Sequence, residues 1–205
     1  MTVAADLEST ESPVEPGGVR RSSAIGVLIA GVLGLAAAAT LTIEKIEILI
    51  DPSYVPSCSL NPVLSCGSVM TTPQASVFGF PNSLIGIVAF TVVLVSGVLA
   101  LARVALPRWY WSGLAIGSAL GVVFVHWLIY QSLYRIGALC PYCMVVWAVT
   151  IPLLVIVASI ALRGETATAP GRILYDWRWS LVALWVTAVL LLILVRFWNY
   201  WSTLL

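Results

Sequence analysis

Five stretches of about twenty residues, almost free of charge, decide what this chain can fold into. They run Ala24–Ile43, Ser83–Ala102, Trp109–Tyr130, Cys143–Leu162 and Trp179–Trp198. A helix needs about 20 apolar residues to cross the roughly 30 Å of a bilayer's hydrocarbon, and each stretch supplies them. The chain is 60% hydrophobic and only 9% charged, whereas soluble domains carry about 25% charged residues. Its 205 residues cannot hide that much apolar surface in a water-borne core. The expected fold is therefore an all-α integral membrane protein with five transmembrane helices. Trp109, Tyr110 and Trp111 open the third span, and Trp198, Tyr200 and Trp201 close the fifth, as interfacial anchors do.

The flanks set an expected orientation. Arg20, Arg21, Arg103, Arg108, Arg163, Arg172 and Arg178 fall before the first span, between the second and third, or between the fourth and fifth. Lys45, Arg135 and Arg196 fall on the opposite side. The positive-inside rule puts the arginine-rich side, and the N-terminus, in the cytoplasm of a cell (plasma) membrane protein. Residues 1–23, with Asp6, Glu8, Glu11 and Glu15 among Ser, Pro and Gly, read as a disordered cytoplasmic tail. A long acidic leader argues against a cleaved secretory signal. Residues 163–178 read as a cytoplasmic connection and 179–205 as the fifth helix with the C-terminus. The net charge of +1 offers no basic field for nucleic acid.

That orientation places all four cysteines outside the cytoplasm, where disulfides persist. Cys58 and Cys66 lie in "SCSLNPVLSCGSVM", between the first two spans. Asn61-Pro62 can turn that segment back on itself, and a disulfide needs Cα atoms about 4.4–6.8 Å apart. Alone, this pair reads as a staple at least as well as a reactive one. Cys140 and Cys143 lie in "GALCPYCMVVW", at the start of the fourth span. Closing so short a loop removes little chain entropy, so a reactive dithiol is the better reading. Pro141 suits a first helical turn, and the helix dipole is then expected to favour a thiolate at Cys143. Metal binding by four thiolates is disfavoured by the loose spacing and the oxidising side, so no metal is expected. Two pairs on one face of a bundle suggest a relay that ends in a lipid-soluble two-electron acceptor.

Together these residues resemble the vitamin K epoxide reductase family, in particular its bacterial members, over about residues 24–162. The resemblance rests on the CX7C in a long first loop, Asn82 in "FPNSLIG" opening the second span, and the CXXC opening the fourth. It implies a four-helix bundle around a quinone, capped by the first loop, with the fifth helix outside it. It further implies that Cys58 exchanges with a partner protein, Cys66 passes to Cys140, Cys143 stands nearest the quinone, and Asn82 bonds a quinone oxygen. Thr72 falls where a supporting hydroxyl is often found. Trp147 stands where vertebrate members have a tyrosine, which weakens the case for epoxide reduction. Many bacterial members carry a fused thioredoxin-like domain after the fifth helix, so a separate partner is expected here.

Other residues carry open alternatives. His126, the single histidine, can relay a proton to a ring site or simply pack. Met70, Phe78, Phe80 and Trp127 can line that site or fill the core. Gly113, Gly117 and Gly121 recur every fourth residue and read as a helix-packing stripe. Glu44, Lys45, Glu47 and Asp51 read as a solvated helix end. The expected function is a membrane thiol–quinone oxidoreductase. It would reoxidise an extracytoplasmic thioredoxin-like (DsbA-like) protein and pass electrons to a membrane quinone, menaquinone or ubiquinone. The alternatives are a quinone or quinone-epoxide reductase with a generic dithiol donor, and a non-enzymatic membrane protein with static disulfides.

Overall fold

A computed structural model describes residues 19–162 and 169–203, the side chains of 169–175 excepted. Five long apolar helices cross it: α1 (Arg21–Ile50), α3 (Asn82–Leu101), α4 (Arg108–Gln131), α5 (Pro141–Ala161) and α6 (Ala169–Arg196). Two short helices, α2 (Cys66–Met70) and α7 (Trp198–Trp201), complete the α elements. No strand occurs among the described residues. Hydrocarbon offers no partner for a backbone N–H or C=O, so each span must close its own hydrogen bonds as a helix. The chain is an integral membrane protein.

The helices overrun the apolar stretches. α1 begins three residues before Ala24 and runs on through Glu44 and Lys45 to Ile50, and α6 begins ten residues before Trp179. Hydropathy marks where hydrocarbon lies, not where a hydrogen-bond ladder ends. The parts of the expected tail and connection at 1–18 and 163–168 lie outside the described residues.

Extensive helix contacts run in the order α3–α1–α5–α4. The α1–α3 contact is the closest because three glycines permit it. A Cβ on Gly31 would come within 2.6 Å of the Leu94 backbone, and one on Gly97 within 2.7 Å of the Leu28 backbone. One on Gly34 would sit inside the Phe90 ring. In lipid such small-residue contacts replace the hydrophobic drive between helices. Gly113 and Gly117 on α4 behave differently: a Cβ there would meet nothing within 4 Å. The expected packing stripe holds only at Gly121, where a Cβ would meet Thr150 Cγ2 of α5 at 3.7 Å; Gly113 and Gly117 face open space.

The interfacial anchors divide in the same way. Trp109 is exposed, but Trp111 is buried in the core and Tyr110 donates its hydroxyl to Ser96 Oγ at 2.7 Å. That direction follows because the Ser96 hydroxyl is itself donated to Val92 O. The bond ties the start of α4 to the last turns of α3.

α4 continues into a π-helical turn over Ser132–Ile136. Gly137 stops it in the left-handed conformation (φ 71°), its N–H returning to Ser132 O at 3.0 Å. Arg196, near the end of α6, donates from Nε to Leu133 O at 2.8 Å. α6 and α7 cover this turn with Ile193 and Phe197, which pack with Val125, Ile129, Leu133 and Trp147.

These two kinds of glycine predict opposite outcomes. Gly31→Ala should destabilise the bundle by about 1–3 kcal/mol through overpacking. Gly113→Ala should leave the unfolding midpoint equal or higher, because alanine is the better helix former by about 1 kcal/mol. Thermal unfolding in detergent reads both.

Candidate functional site

The site begins with a turn. Asn61 Oδ1 accepts from the N–H groups of Val63 and Leu64 at 3.0 and 2.7 Å, while Leu60 N–H reaches Leu64 O at 2.8 Å. This is the reversal expected at Asn61-Pro62. It brings Cys58 and Cys66 together with Cα atoms 5.6 Å apart, joined as a disulfide.

The chain after the turn then pairs with the CXXC segment. Leu64 and Leu139 form an isolated parallel bridge, with Leu139 N–H donating to Val63 O at 2.7 Å and Ser65 N–H to Leu139 O at 2.9 Å. Cys66 opens α2, whose N-terminus Ser65 caps, and Cys140 caps the N-terminus of α5. The bridge lies one or two residues before each cysteine, so it sets the two helix starts side by side. The Cys66 and Cys140 sulfurs end 3.1 Å apart, both fully buried.

The sulfurs of Cys58, Cys66 and Cys140 all lie within 4.8 Å of one another. Two of the three are bonded to each other, so the cluster is a disulfide with a third sulfur in contact: the geometry of thiol exchange. Cys140 and Cys143 are both thiols. Cys140, not Cys143, receives the helix N-terminus: its sulfur accepts from the Cys143 N–H at 3.4 Å. The expected beneficiary was wrong by one turn, because the cap position precedes Pro141. The Cys143 thiol is the main cause holding the Cys140 thiol below its ordinary pKa, with the N–H groups of Cys143 and Tyr142 adding to it. Burial and the negative charge of Glu44 oppose them.

Glu44 is not part of a solvated helix end. It is buried and accepts from Ser57 Oγ at 2.5 Å, Ser57 N–H at 3.3 Å and Tyr54 Oη at 3.0 Å. Ser57 adjoins Cys58, so this carboxylate ties the outer cysteine's segment to α1. Lys45 donates to Met70 O at 2.7 Å and holds α2 in the same manner. A long polar side chain extends a helix past hydrocarbon when the loop above supplies its partners.

Beneath the sulfurs lies a cavity of about 560 Å³, within the range of about 300–1,000 Å³ usual for small-molecule sites. All four bundle helices contribute to its wall, and Met70 and Gln74 of the loop cover it. Cys143 is on the wall while Cys140 is not. The two inner thiols therefore face different neighbours, one the outer disulfide and the other the cavity.

The expected ring-site residues separate. Asn82, Met70 and Trp147 line the cavity. Asn82 also spans the loop, donating from Nδ2 to Gln74 O at 2.7 Å and accepting from Val77 N–H at 3.2 Å. One of its amide protons has no partner in this pattern. Among the described residues two buried indole N–H groups lack a partner, those of Trp147 and Trp201, and of these two Trp147 is on the cavity wall. A buried donor without a partner costs about 1–3 kcal/mol, which a ligand oxygen would recover.

Phe78 and His126 are not on the wall. Phe78 is exposed and packs against Phe124, ring centroids 6.0 Å apart; Phe124 is the wall residue that sequence reasoning passed over. Phe124, Val125 and Leu128 face the cavity, and His126 is turned off that face by the helical period. Its Nε2 accepts from Trp185 Nε1 at 2.8 Å, and Nδ1 lies 2.8 Å from Val122 O. Because an indole can only donate, Nδ1 carries the proton and donates to the carbonyl. Both nitrogens of a neutral ring are thus committed, and His126 fastens α6 to α4 instead of serving the cavity. Thr72 spends its hydroxyl on Val69 O at 2.7 Å.

A sequence profile described as the vitamin K epoxide reductase family matches residues 25–158. No curated protein matches the chain.

The Cys140 environment makes a pH prediction. With the outer pair oxidised, Cys140 should ionise at lower pH than an ordinary thiol. Cys143→Ala removes the foremost cause of that lowering, so thiolate should then appear at higher pH. The ultraviolet absorption of thiolate, followed across a pH titration, checks the sign.

Proposed function

The chain belongs to the vitamin K epoxide reductase family and is an oxidoreductase by that membership; from this premise we propose that it is a membrane thiol–quinone oxidoreductase. In this reading it reoxidises an extracytoplasmic thioredoxin-like protein, passes the electrons through two cysteine pairs to a membrane quinone, and so supports disulfide formation. The observation that carries the reading is the 3.1 Å contact between the buried Cys66 and Cys140 sulfurs, one in a disulfide and the other in a dithiol. Two static staples would not require that contact.

The steps follow from the positions of the sulfurs. A thiolate of the partner attacks Cys58, the Cys58–Cys66 bond breaks, and the partner's second thiol completes its own disulfide. The outer pair is left as a dithiol. Cys66 then attacks Cys140 of an inner disulfide, and Cys143 leaves as thiolate. Cys58 attacks Cys66 and releases Cys140. The outer disulfide is restored and the inner pair holds two electrons, which is the oxidation state present in the structure. The lowered pKa of Cys140 suits it as the leaving group in that last step.

A quinone bound in the cavity supplies the sink for the two electrons and two protons that Cys140 and Cys143 release on joining. The wall fits such a ring: it is almost wholly apolar, and Cys143 and the unpartnered Trp147 N–H both belong to it. Asn82 has an amide proton to offer as well. Strong protein oxidants have potentials near −120 mV, so the acceptor must be comparably oxidising, as a membrane quinone pool is. The arginine asymmetry supports an orientation in a cell membrane with the N-terminus cytoplasmic and the sulfur cluster outside.

Quinone reduction driven by a reduced thioredoxin-like protein tests the reading with purified enzyme. Cys140→Ala should abolish turnover: the partner should reduce the Cys58–Cys66 disulfide once, and the outer pair should then stay a dithiol. Cys58→Ala should accumulate a Cys66–Cys140 disulfide, visible on mapping under non-reducing conditions. Partner oxidation at the wild-type rate by Cys140→Ala would falsify the relay.

A further inference from the structure

The cavity wall carries one charged side chain among the described residues, and the proposed chemistry does not use it. Lys45 stands on the wall, half-buried, beside Met70 of the loop. The other titratable groups on the wall are Tyr110 and Cys143. The Lys45 ammonium donates to Met70 O at 2.7 Å. An ammonium has three donors, so this bond leaves two of them.

No described carboxylate neutralises the charge within ion-pair distance. Glu44, the adjacent residue, spends both oxygens on Ser57 and Tyr54 and is not part of the wall. Glu47 is exposed and is likewise not part of it. A cation at the edge of a cavity with apolar walls acts through a lower dielectric than water, and its field there is correspondingly stronger.

We propose that Lys45 is the charge-selecting residue of the cavity, favouring a ring ligand with negative charge on oxygen over a neutral ring of the same shape. The ligand class is the acidic hydroxyquinones. An ammonium so placed also favours charge arriving on a ring oxygen during reduction. The proposal rests on the reading of the cavity as a quinone site, and the test separates the two.

The probes are a hydroxynaphthoquinone, whose anion absorbs in the visible, and the matching unsubstituted naphthoquinone. Each is bound to the full chain in detergent, as wild type, Lys45→Arg and Lys45→Gln. Glutamine keeps a donor for the Met70 carbonyl and removes only the charge. An opposite charge at about 4–6 Å lowers an acid's pKa by about 1–3 units. The bound hydroxynaphthoquinone should therefore lose its proton at least about one unit lower in wild type and Lys45→Arg than in Lys45→Gln. The unsubstituted ring should bind all three proteins alike.

Equal titration in the three proteins, with both rings bound, overturns the inference and leaves the quinone cavity standing. Loss of both rings in Lys45→Gln but not in Lys45→Arg also overturns it, because Lys45 would then hold the loop instead of selecting charge. Failure of both rings to bind wild type overturns the cavity reading and the inference with it.

Discussion

Two backbone hydrogen bonds hold the rest of this site in place. Leu139 N–H to Val63 O and Ser65 N–H to Leu139 O, at 2.7 and 2.9 Å, join a loop to a helix start more than seventy residues away in sequence. Without them the disulfide and the dithiol would be two separate features. With them the sulfurs of Cys66 and Cys140 touch at 3.1 Å in full burial. A side chain at a helix start has little freedom to search, so the backbone must deliver it. The loop is in turn pinned to α1 at two adjacent residues, Glu44 through Ser57 and Lys45 through Met70. Exchange chemistry needs sulfur atoms in line at contact distance, and all of these bonds lie outside the apolar spans, where polar groups can meet.

The cavity depends on a contrast between glycines. On α1 and α3 they let two backbones approach so closely that a methyl group would collide. On α4, Gly113 and Gly117 face open space. The first set makes one side of the bundle tight, and the second keeps the other side hollow. Close packing in lipid is enthalpic and local, so the same residue type serves either purpose according to what stands opposite. The wall of the hollow side is mostly apolar, and its polar groups include Lys45, Asn82, the Trp147 indole and Cys143.

The fifth span is bound to the core by polar groups at two heights. Trp185 donates to His126 on α4, and Arg196 donates to Leu133 O in the π turn that leads to Cys140. Both bonds satisfy groups that are costly to leave unpaired near hydrocarbon. Ile193 and Phe197 add apolar contact over Trp147 and Leu133. α6 thus backs the wall of the cavity and the approach to the CXXC, although it stands outside the four-helix core.

The number and order of the spans, the Asn61-Pro62 reversal and the presence of two cysteine pairs were legible because each is local. Hydropathy is a property of consecutive residues, and a turn or a CXXC spans only a few. Helix ends were not legible in the same way: Glu44 and Lys45 look solvated in sequence, and only the loop folded above them supplies their partners. His126 and Phe78 were indistinguishable from wall residues by type; the rotation of α4, set by its neighbours, turned His126 toward α6, while Phe78, in the turn before α3, stays exposed against Phe124. The same rotation brought in Phe124 and opened space at Gly113 and Gly117. By itself the sequence determined a five-span helical membrane protein with two thiol pairs, because bilayer thickness and side-chain hydropathy act residue by residue. Tertiary structure alone decided which sulfur meets which, which faces the cavity, and which charge stands beside it, because those depend on backbone pairing and helix rotation between residues far apart in the chain.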